Sequence, residues 1–248
     1  MSKLLKYEIR KTWALKLIIL GVTAVAELAF LIALFLDQEN HGFIGLSCML
    51  LFFIAMGGTM LIGVQSVLTL HRDMNTKQGY MLFMTPNSCY KILGAKVIEC
   101  ALSLLLAGVF FFGLGYLDFS LLLGEGTNKQ IWDMFNQMVR TINQHIVLDA
   151  PHISALIFEI IVSWLCTITT AYLADVISSS LLNGKKGGLL ITFLIFLLLN
   201  YGISKVLKLV PSTIGVIPVL LWQGAIALVL AGIMYVVTAR LMEKYLSV

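Results

Sequence analysis

Glu27 and Glu159 are the residues best placed to handle a proton or a cation, because each interrupts a long apolar run. A carboxylate at the centre of a bilayer costs roughly 2.5–3.5 kcal/mol on insertion scales, so such groups turn toward protein or water and often line ion or substrate paths. Glu27 falls near the middle of its run, and Glu159 lies one or two turns inside the end of its own. Two readings stay open for both: the polar lining of a translocation path, or a structural hydrogen bond between helices with the carboxyl free to hold a proton. A proton relay would call for more such groups. Glu99 and Asp175 sit closer to the ends of their runs, where they are expected to reach water or nearby lysines.

Other chemistry is tested against spacing and not found. No GxxxxGK[ST] loop is present, and the Gly-Lys-Lys-Gly-Gly stretch at 184–188 lacks both the first glycine and the hydroxyl residue that cradle a phosphate. His71-Arg72-Asp73 matches three residues of a kinase catalytic loop, but Gln78 stands where the metal-binding asparagine belongs. His41, His71, His145 and His152 have no HExxH spacing, and no GxSxG sequence supplies a nucleophile. Cys48, Cys100 and Cys166 lie in apolar runs and Cys89 in a polar stretch, so the four read as packing residues. The chain is expected to be no enzyme.

The elements that carry these residues are read from hydropathy. Hydrophobic residues make up 59% of the 248 and charged residues only 12%, about half the usual share of a soluble domain. A bilayer core about 30 Å thick is crossed by about 20 apolar residues in a helix. Six stretches meet that requirement: 17–36, 43–70, 97–116, 153–182, 189–204 and 214–238, the fifth being the shortest. Continuous apolar runs such as 189–199 do not alternate as barrel strands do. The fold class is therefore all-α integral membrane, with 1–248 forming a single transmembrane domain. The first run is too long for the core of a cleavable leader and ends without small-residue cleavage spacing, so it is expected to be retained.

Lysine and arginine set the orientation. With six spans and the N-terminus inside, only Lys129, Arg140, Lys205 and Lys208 fall outside, and the other 13 of the 17 fall on the inner side. Both termini are expected in the cytoplasm, in the plasma membrane. The net charge of +4 is then a topology signal, with no nucleic-acid partner required.

Four segments outside the spans have patterns of their own. In 1–13, Leu4, Leu5, Ile9 and Trp13 recur at near-helical spacing among lysines and arginines, as in an interfacial helix or in a plain basic flank of the first span. In 127–146, Thr127 and Gln130 have capping-box spacing ahead of the helical series Ile131, Phe135, Met138 and Ile142. An outer amphipathic helix is expected there, on the membrane or over a vestibule, with its polar side in solvent. Lys205, Lys208, Pro211 and Pro218 mark irregular or re-entrant structure before the last span. Gly57, Gly58 and Gly63 offer close helix approach, or are simply tolerated.

The inner stretch 71–96 is the most patterned polar region. Arg72-Asp73 is followed by Gly79-Tyr80-Met81-Leu82-Phe83-Met84-Thr85-Pro86 and then by Ile92-Leu93-Gly94-Ala95-Lys96. Gly79 permits a tight turn, and Pro86 suits the first turn of a new helix. This pattern, the basic start Lys6-Tyr7-Glu8-Ile9-Arg10-Lys11, the six-span plan and the proline-containing segment before the last span resemble the membrane-spanning permease subunit of an ABC transporter of the type-2 exporter family. The resemblance implies a cytoplasmic ABC ATPase subunit as partner and a second permease subunit, identical or related. ATP and Mg would be bound by the ATPase, with no cofactor in this chain. It implies that Arg72, Asp73, Gly79, Tyr80, Phe83, Thr85 and Pro86 belong to a coupling helix seated on the ATPase. It further implies that 1–13 is an elbow helix and 205–218 re-entrant. The outer segment 127–146 departs from compact members of that family. Apolar walls suit a lipid, a hydrophobic drug or an amphipathic peptide as cargo, and the outer helix favours peptide export. Two alternatives are kept: the substrate-capture subunit of an ATP-driven vitamin importer, and a membrane immunity or scaffold protein without transport activity.

Overall fold

The structure, a computed structural model, describes residues 2–36, 41–75, 88–124, 137, 150–182, 188–209 and 215–246. Among them every regular element is a helix. The six are α1 (Ser2–Leu36), α2 (His41–Asn75), α3 (Cys89–Gly124), α4 (Ala150–Leu182), α5 (Gly188–Leu207) and α6 (Val216–Leu246). Each is long and apolar enough to cross a membrane. In hydrocarbon no water satisfies backbone N–H and C=O groups, and the helix satisfies them within one segment.

Each apolar run expected to span is contained, to within a few residues, in one of these helices, and most helices overrun it. At 1.5 Å per residue the 36 residues of α3 reach roughly 54 Å, well past a hydrocarbon core of about 30 Å. The 20 residues of α5 just match that core, so the weakest expected span is a full crossing in length. Helix α1 passes without a break through the junction between the expected interfacial segment 1–13 and the first span. Pro218, expected in irregular structure, instead occupies the first turn of α6, where a missing N–H costs nothing. Gly215 precedes it at φ +105°, a left-handed conformation that L side chains rarely adopt, and its carbonyl accepts from Val219 N–H at 3.3 Å. The expected outer helix 127–146 lies outside the described residues, apart from Gln137.

The chain divides into two compact units. One comprises Met1–Leu5, Ser66–Ile98 and Val147–Val248, hence α4, α5, α6 and the ends of α2 and α3 that flank 76–87. In it α4 packs chiefly on α6 and also on α5. Val162 and Cys166 of α4, Ile203 of α5, and Ala227 and Ala231 of α6 form a buried cluster, covered by Leu165, Leu207, Leu230 and Met234. Small side chains at the contact let helices approach where lipid supplies no hydrophobic drive between them.

The other unit, Lys6–Gln65 and Glu99–Ile146, holds nearly all of α1 and most of α2 and α3. A Cβ on Gly58 would lie 3.0 Å from Ile19 Cγ2 and 3.4 Å from Phe111 Cζ. Of the three glycines singled out in the second span, Gly58 is the one at a close approach. Gly57 and Gly63 face open space.

Candidate functional site

The ends of α2 and α3 that flank 76–87 are fastened to each other and to α4. Arg72 and Asp73 lie in the last turns of α2; Arg72 is exposed and Asp73 buried. Helix α3 starts after Ser88, whose carbonyl accepts from Lys91 N–H at 2.9 Å and Ile92 N–H at 3.3 Å. Two turns on, Lys96 is almost wholly buried and places Nζ 2.6 Å from Asp73 Oδ2. A lysine in that position stays charged only with a matched anion, and the pair ties the last turn of α2 to the third turn of α3. Tyr172 of α4 bonds through its hydroxyl to Ser66 of α2 and donates more weakly, at 3.5 Å, to the Lys96 carbonyl. Gly79, Tyr80, Phe83, Thr85 and Pro86, the other residues expected to couple, lie outside the described residues.

Two residues before Asp73, His71 Nδ1 sits 2.7 Å from Oδ1 of Asp175 on α4. Thr192 of α5 donates to the same oxygen at 3.4 Å and to the Gly188 carbonyl at 3.0 Å, and Ser178 Oγ reaches that carbonyl at 2.8 Å. A Cβ on Gly188 would lie 3.3 Å from His71 Cε1, so the imidazole rests on the start of α5. Asp175 is fully buried. It was expected to reach water or lysine; instead His71 of α2 and Thr192 of α5 meet its Oδ1, and its Oδ2 is buried with no hydrogen-bond partner among the described residues. Tyr235 of α6 completes this end of the unit by donating to the Tyr90 carbonyl at 2.6 Å, its ring edge-on to that of Tyr90.

In the other unit, Glu99 does reach a lysine. Lys16 Nζ lies 2.6 Å from Glu99 Oε1 and 2.6 Å from Ser103 Oγ, and Thr12 donates to the same carboxylate oxygen at 2.7 Å. Thr12 and Lys16 are four residues apart on α1, and Glu99 and Ser103 four apart on α3, so one face of each helix meets the other.

Further along the same two helices, Glu27 is hydrogen-bonded to Asp118. Asp118 lies just past the expected third span, 97–116, but α3 continues to Gly124 and carries it. A cavity of about 310 Å³ opens against Asp118, lined also by Thr23, Cys48, Phe52, Phe111 and Phe119 among others. Glu27 Oε2 and Asp118 Oδ1 are buried with no hydrogen-bond partner among the described residues. No family model, characterised protein or solved structure matches this chain.

Glu159, the other candidate for a path, is half-buried on α4 and belongs to the unit that does not contain Glu27. Among the described residues no three His, Cys, Asp or Glu side chains converge as a metal site. What the sequence did not reveal are the partners: Lys96 for Asp73, His71 for Asp175, and Asp118 for Glu27. Only Lys16 with Glu99 was foreshadowed. The available signal was the bare presence of charge inside apolar helices, which says that a partner is needed without saying which.

Proposed function

We propose that the chain is the permease subunit of an ATP-driven ABC exporter, moving an amphipathic or hydrophobic substrate such as a peptide, drug or lipid across the plasma membrane. Both termini and 71–96 would face the cytoplasm, where a separate ATPase subunit binds. The observation that carries this reading is the buried Asp73–Lys96 pair. A segment that transmits force must enter and leave the membrane on stems that do not slide past each other. The 76–87 segment leaves α2 just after Asp73 and is joined to α3 just before Lys96. Breaking a buried pair of this kind leaves a bare charge, so the stems have one strongly preferred register. Energetic coupling between sites requires such a rigid element with discrete arrangements. This reading assigns the Gly79–Tyr80 to Thr85–Pro86 pattern, which falls between those stems in the sequence, to the ATPase contact.

Arg72, exposed at the base of the segment, and Tyr80 and Phe83 within it are assigned to the ATPase contact. Segment 1–13 is assigned to the membrane surface and 205–218 to the outer face. The test is purification of the tagged chain with its natural membrane partners, followed by transport with Tyr80→Asp and Phe83→Asp variants. An ATPase subunit should co-purify in fixed proportion, and both variants should insert normally yet hydrolyse ATP without transport. Purification without any ATPase favours the immunity or scaffold reading. Uptake by sealed cells, in place of efflux, favours the vitamin-importer reading.

A further inference from the structure

We propose that one face of α1 binds an anionic phospholipid, with its phosphate held between Lys6 and Arg10. The inference needs α1 to cross a membrane and does not need an ATPase. At 3.6 residues per turn, Lys6, Arg10, Trp13, Leu17 and Leu20 fall within about 80° of one another around the helix, and all five are exposed. Tyr7, also exposed, stands beside them. Along this stripe the chemistry changes in the order that a lipid's does: two cations, an amphipathic indole, then aliphatic side chains. Lys6 and Arg10 are four positions apart, so their side chains start roughly 6 Å from each other and both reach one phosphate. The arginine fork matches phosphate oxygens in pairs, and the lysine adds a point charge. Trp13 is the kind of side chain that settles at headgroup level. Leu17 and Leu20 follow about 6 and 10 Å further along the axis, where acyl chains take over from the headgroup.

A plain basic flank needs charge near the membrane but no particular face for it. Here the acid is kept off the stripe: Glu8, the one acid before Glu27 in the chain, is buried on the opposite side of the helix. That opposite side also fixes the direction of the stripe. Thr12 bonds to Glu99 of α3, and Lys16 to Glu99 and Ser103, so α1 does not rotate to turn Lys6 and Arg10 elsewhere. Cations already aligned lose little freedom when a ligand arrives. Two of them with no acid on their face favour a headgroup of net negative charge. A zwitterionic headgroup would bring an ammonium of its own toward them.

The test places the full chain, as W132F/W164F/W222F so that Trp13 alone fluoresces, in phosphatidylcholine nanodiscs. Brominated acyl chains quench a tryptophan that they touch. A small fraction of brominated phosphatidylglycerol should quench Trp13 more strongly than the same fraction of brominated phosphatidylcholine. The preference should amount to about fivefold for each cation, the worth of one basic side chain at an anionic surface. K6Q/R10Q should abolish it without unfolding the chain, since both side chains are exposed. K91Q, which removes an exposed basic charge from the other unit, should leave it unchanged. Native mass spectrometry needs no tryptophan replacement and decides the matter even if the single-tryptophan chain does not fold. From mixed nanodiscs the wild-type chain should retain one more phosphatidylglycerol than K6Q/R10Q does. Equal quenching by the two lipids, a preference that survives K6Q/R10Q, or one lost equally in K91Q would overturn the proposal. So would the lack of quenching by either lipid, which would mean that protein covers this face, or equal lipid retention by wild type and K6Q/R10Q. None of these results bears on whether an ATPase co-purifies, so the exporter reading stands or falls separately.

Discussion

Buried acids are handled in opposite ways at two places in this molecule. Around the stems of 76–87, Asp73 faces Lys96 and Asp175 faces His71, each at hydrogen-bond distance and each locked further by a hydroxyl or carbonyl from another helix. Around the cavity of the other unit, Glu27 faces Asp118, and no cation is at hand among the described residues. The first arrangement sets each acid against a lysine or an imidazole, although Asp175 Oδ2 is itself buried with no hydrogen-bond partner among the described residues. Its charges are spent on holding helices in register, which is the best-attested use of buried ion pairs. In the second the partner of one carboxyl is another carboxyl, with a cavity against Asp118. An acid opposite a basic group needs no shared proton, whereas an acid opposite an acid does.

The comparison breaks most sharply at Asp73. Replacing it with alanine takes its carboxylate partner from the buried Lys96 ammonium, and loss of about 3–5 kcal/mol is expected, as for one partner of a buried pair. The D73L/K96M double variant should recover most of that stability, because it removes both charges and keeps apolar volume. Thermal unfolding in detergent micelles reads both. If D73A unfolds at the wild-type temperature, the stems are not held by charge and the contrast between the two regions fails. If the exporter reading is also right, D73L/K96M should be stable and yet poorly coupled.

A smaller loss is expected at His71. With alanine there, Asp175 keeps only the long bond from Thr192, and roughly 1–3 kcal/mol should be lost, the cost of leaving a buried acceptor poorly matched. His71→Gln restores a donor on a side chain of similar reach and should recover part of it. Equal melting temperatures for wild type and H71A would show that Asp175 finds another donor, and that its pairing with α2 is incidental.

How far these arrangements were legible in the sequence depended on the kind of information each required. The six crossings followed from hydropathy because span length is fixed by bilayer thickness, a local property. The helix ends did not follow, since beyond the hydrocarbon a helix can continue through polar residues without an apolar signal. Asp118 shows the consequence: hydropathy places it past the third span, yet α3 runs on to Gly124. The same blindness separated 1–13 from the first span, where one helix covers both. Pairings were less legible still. Thr12, Lys16, Glu99 and Ser103 meet across more than 80 positions of sequence, and period 3.6 tells which residues share a face without telling which face opposes it. Glu27 was singled out because charge in a span demands explanation, whereas its partner Asp118 could be found only in three dimensions. Gly58, one glycine of three, was distinguished only by its neighbours.

Lys16 lies between the two extremes and sharpens the comparison. Its side chain is 24% exposed and that of Glu99 5%, so the pair is partly screened. Removing the ammonium still leaves Glu99 with donors from Thr12 and Ser103. Lys16→Met should therefore cost only about 1 kcal/mol. Combining it with Thr12→Val should cost more than the two single losses added together, since the second change removes a donor on which the first had come to rely. Additive losses would mean that the hydroxyls do not stand in for the ammonium.

The smallest effect on stability and the most informative one belongs to Glu27. A glutamine there can donate an amide N–H to Asp118 without any shared proton, so the interhelical bond survives and the melting temperature should change by less than about 1 kcal/mol equivalent. The protonated-carboxyl band in the infrared should nevertheless disappear, because the carboxylate of Asp118 no longer needs a neighbour's proton. A stems variant such as D73L/K96M should leave that band untouched, since its charges belong to the other unit. Should E27Q unfold the chain as readily as D73A does, the Glu27–Asp118 pair would be a fastening like those around the stems. Acid against acid in one unit and acid against base in the other would then do the same work of fastening helices, and the difference in partner would no longer separate the two regions.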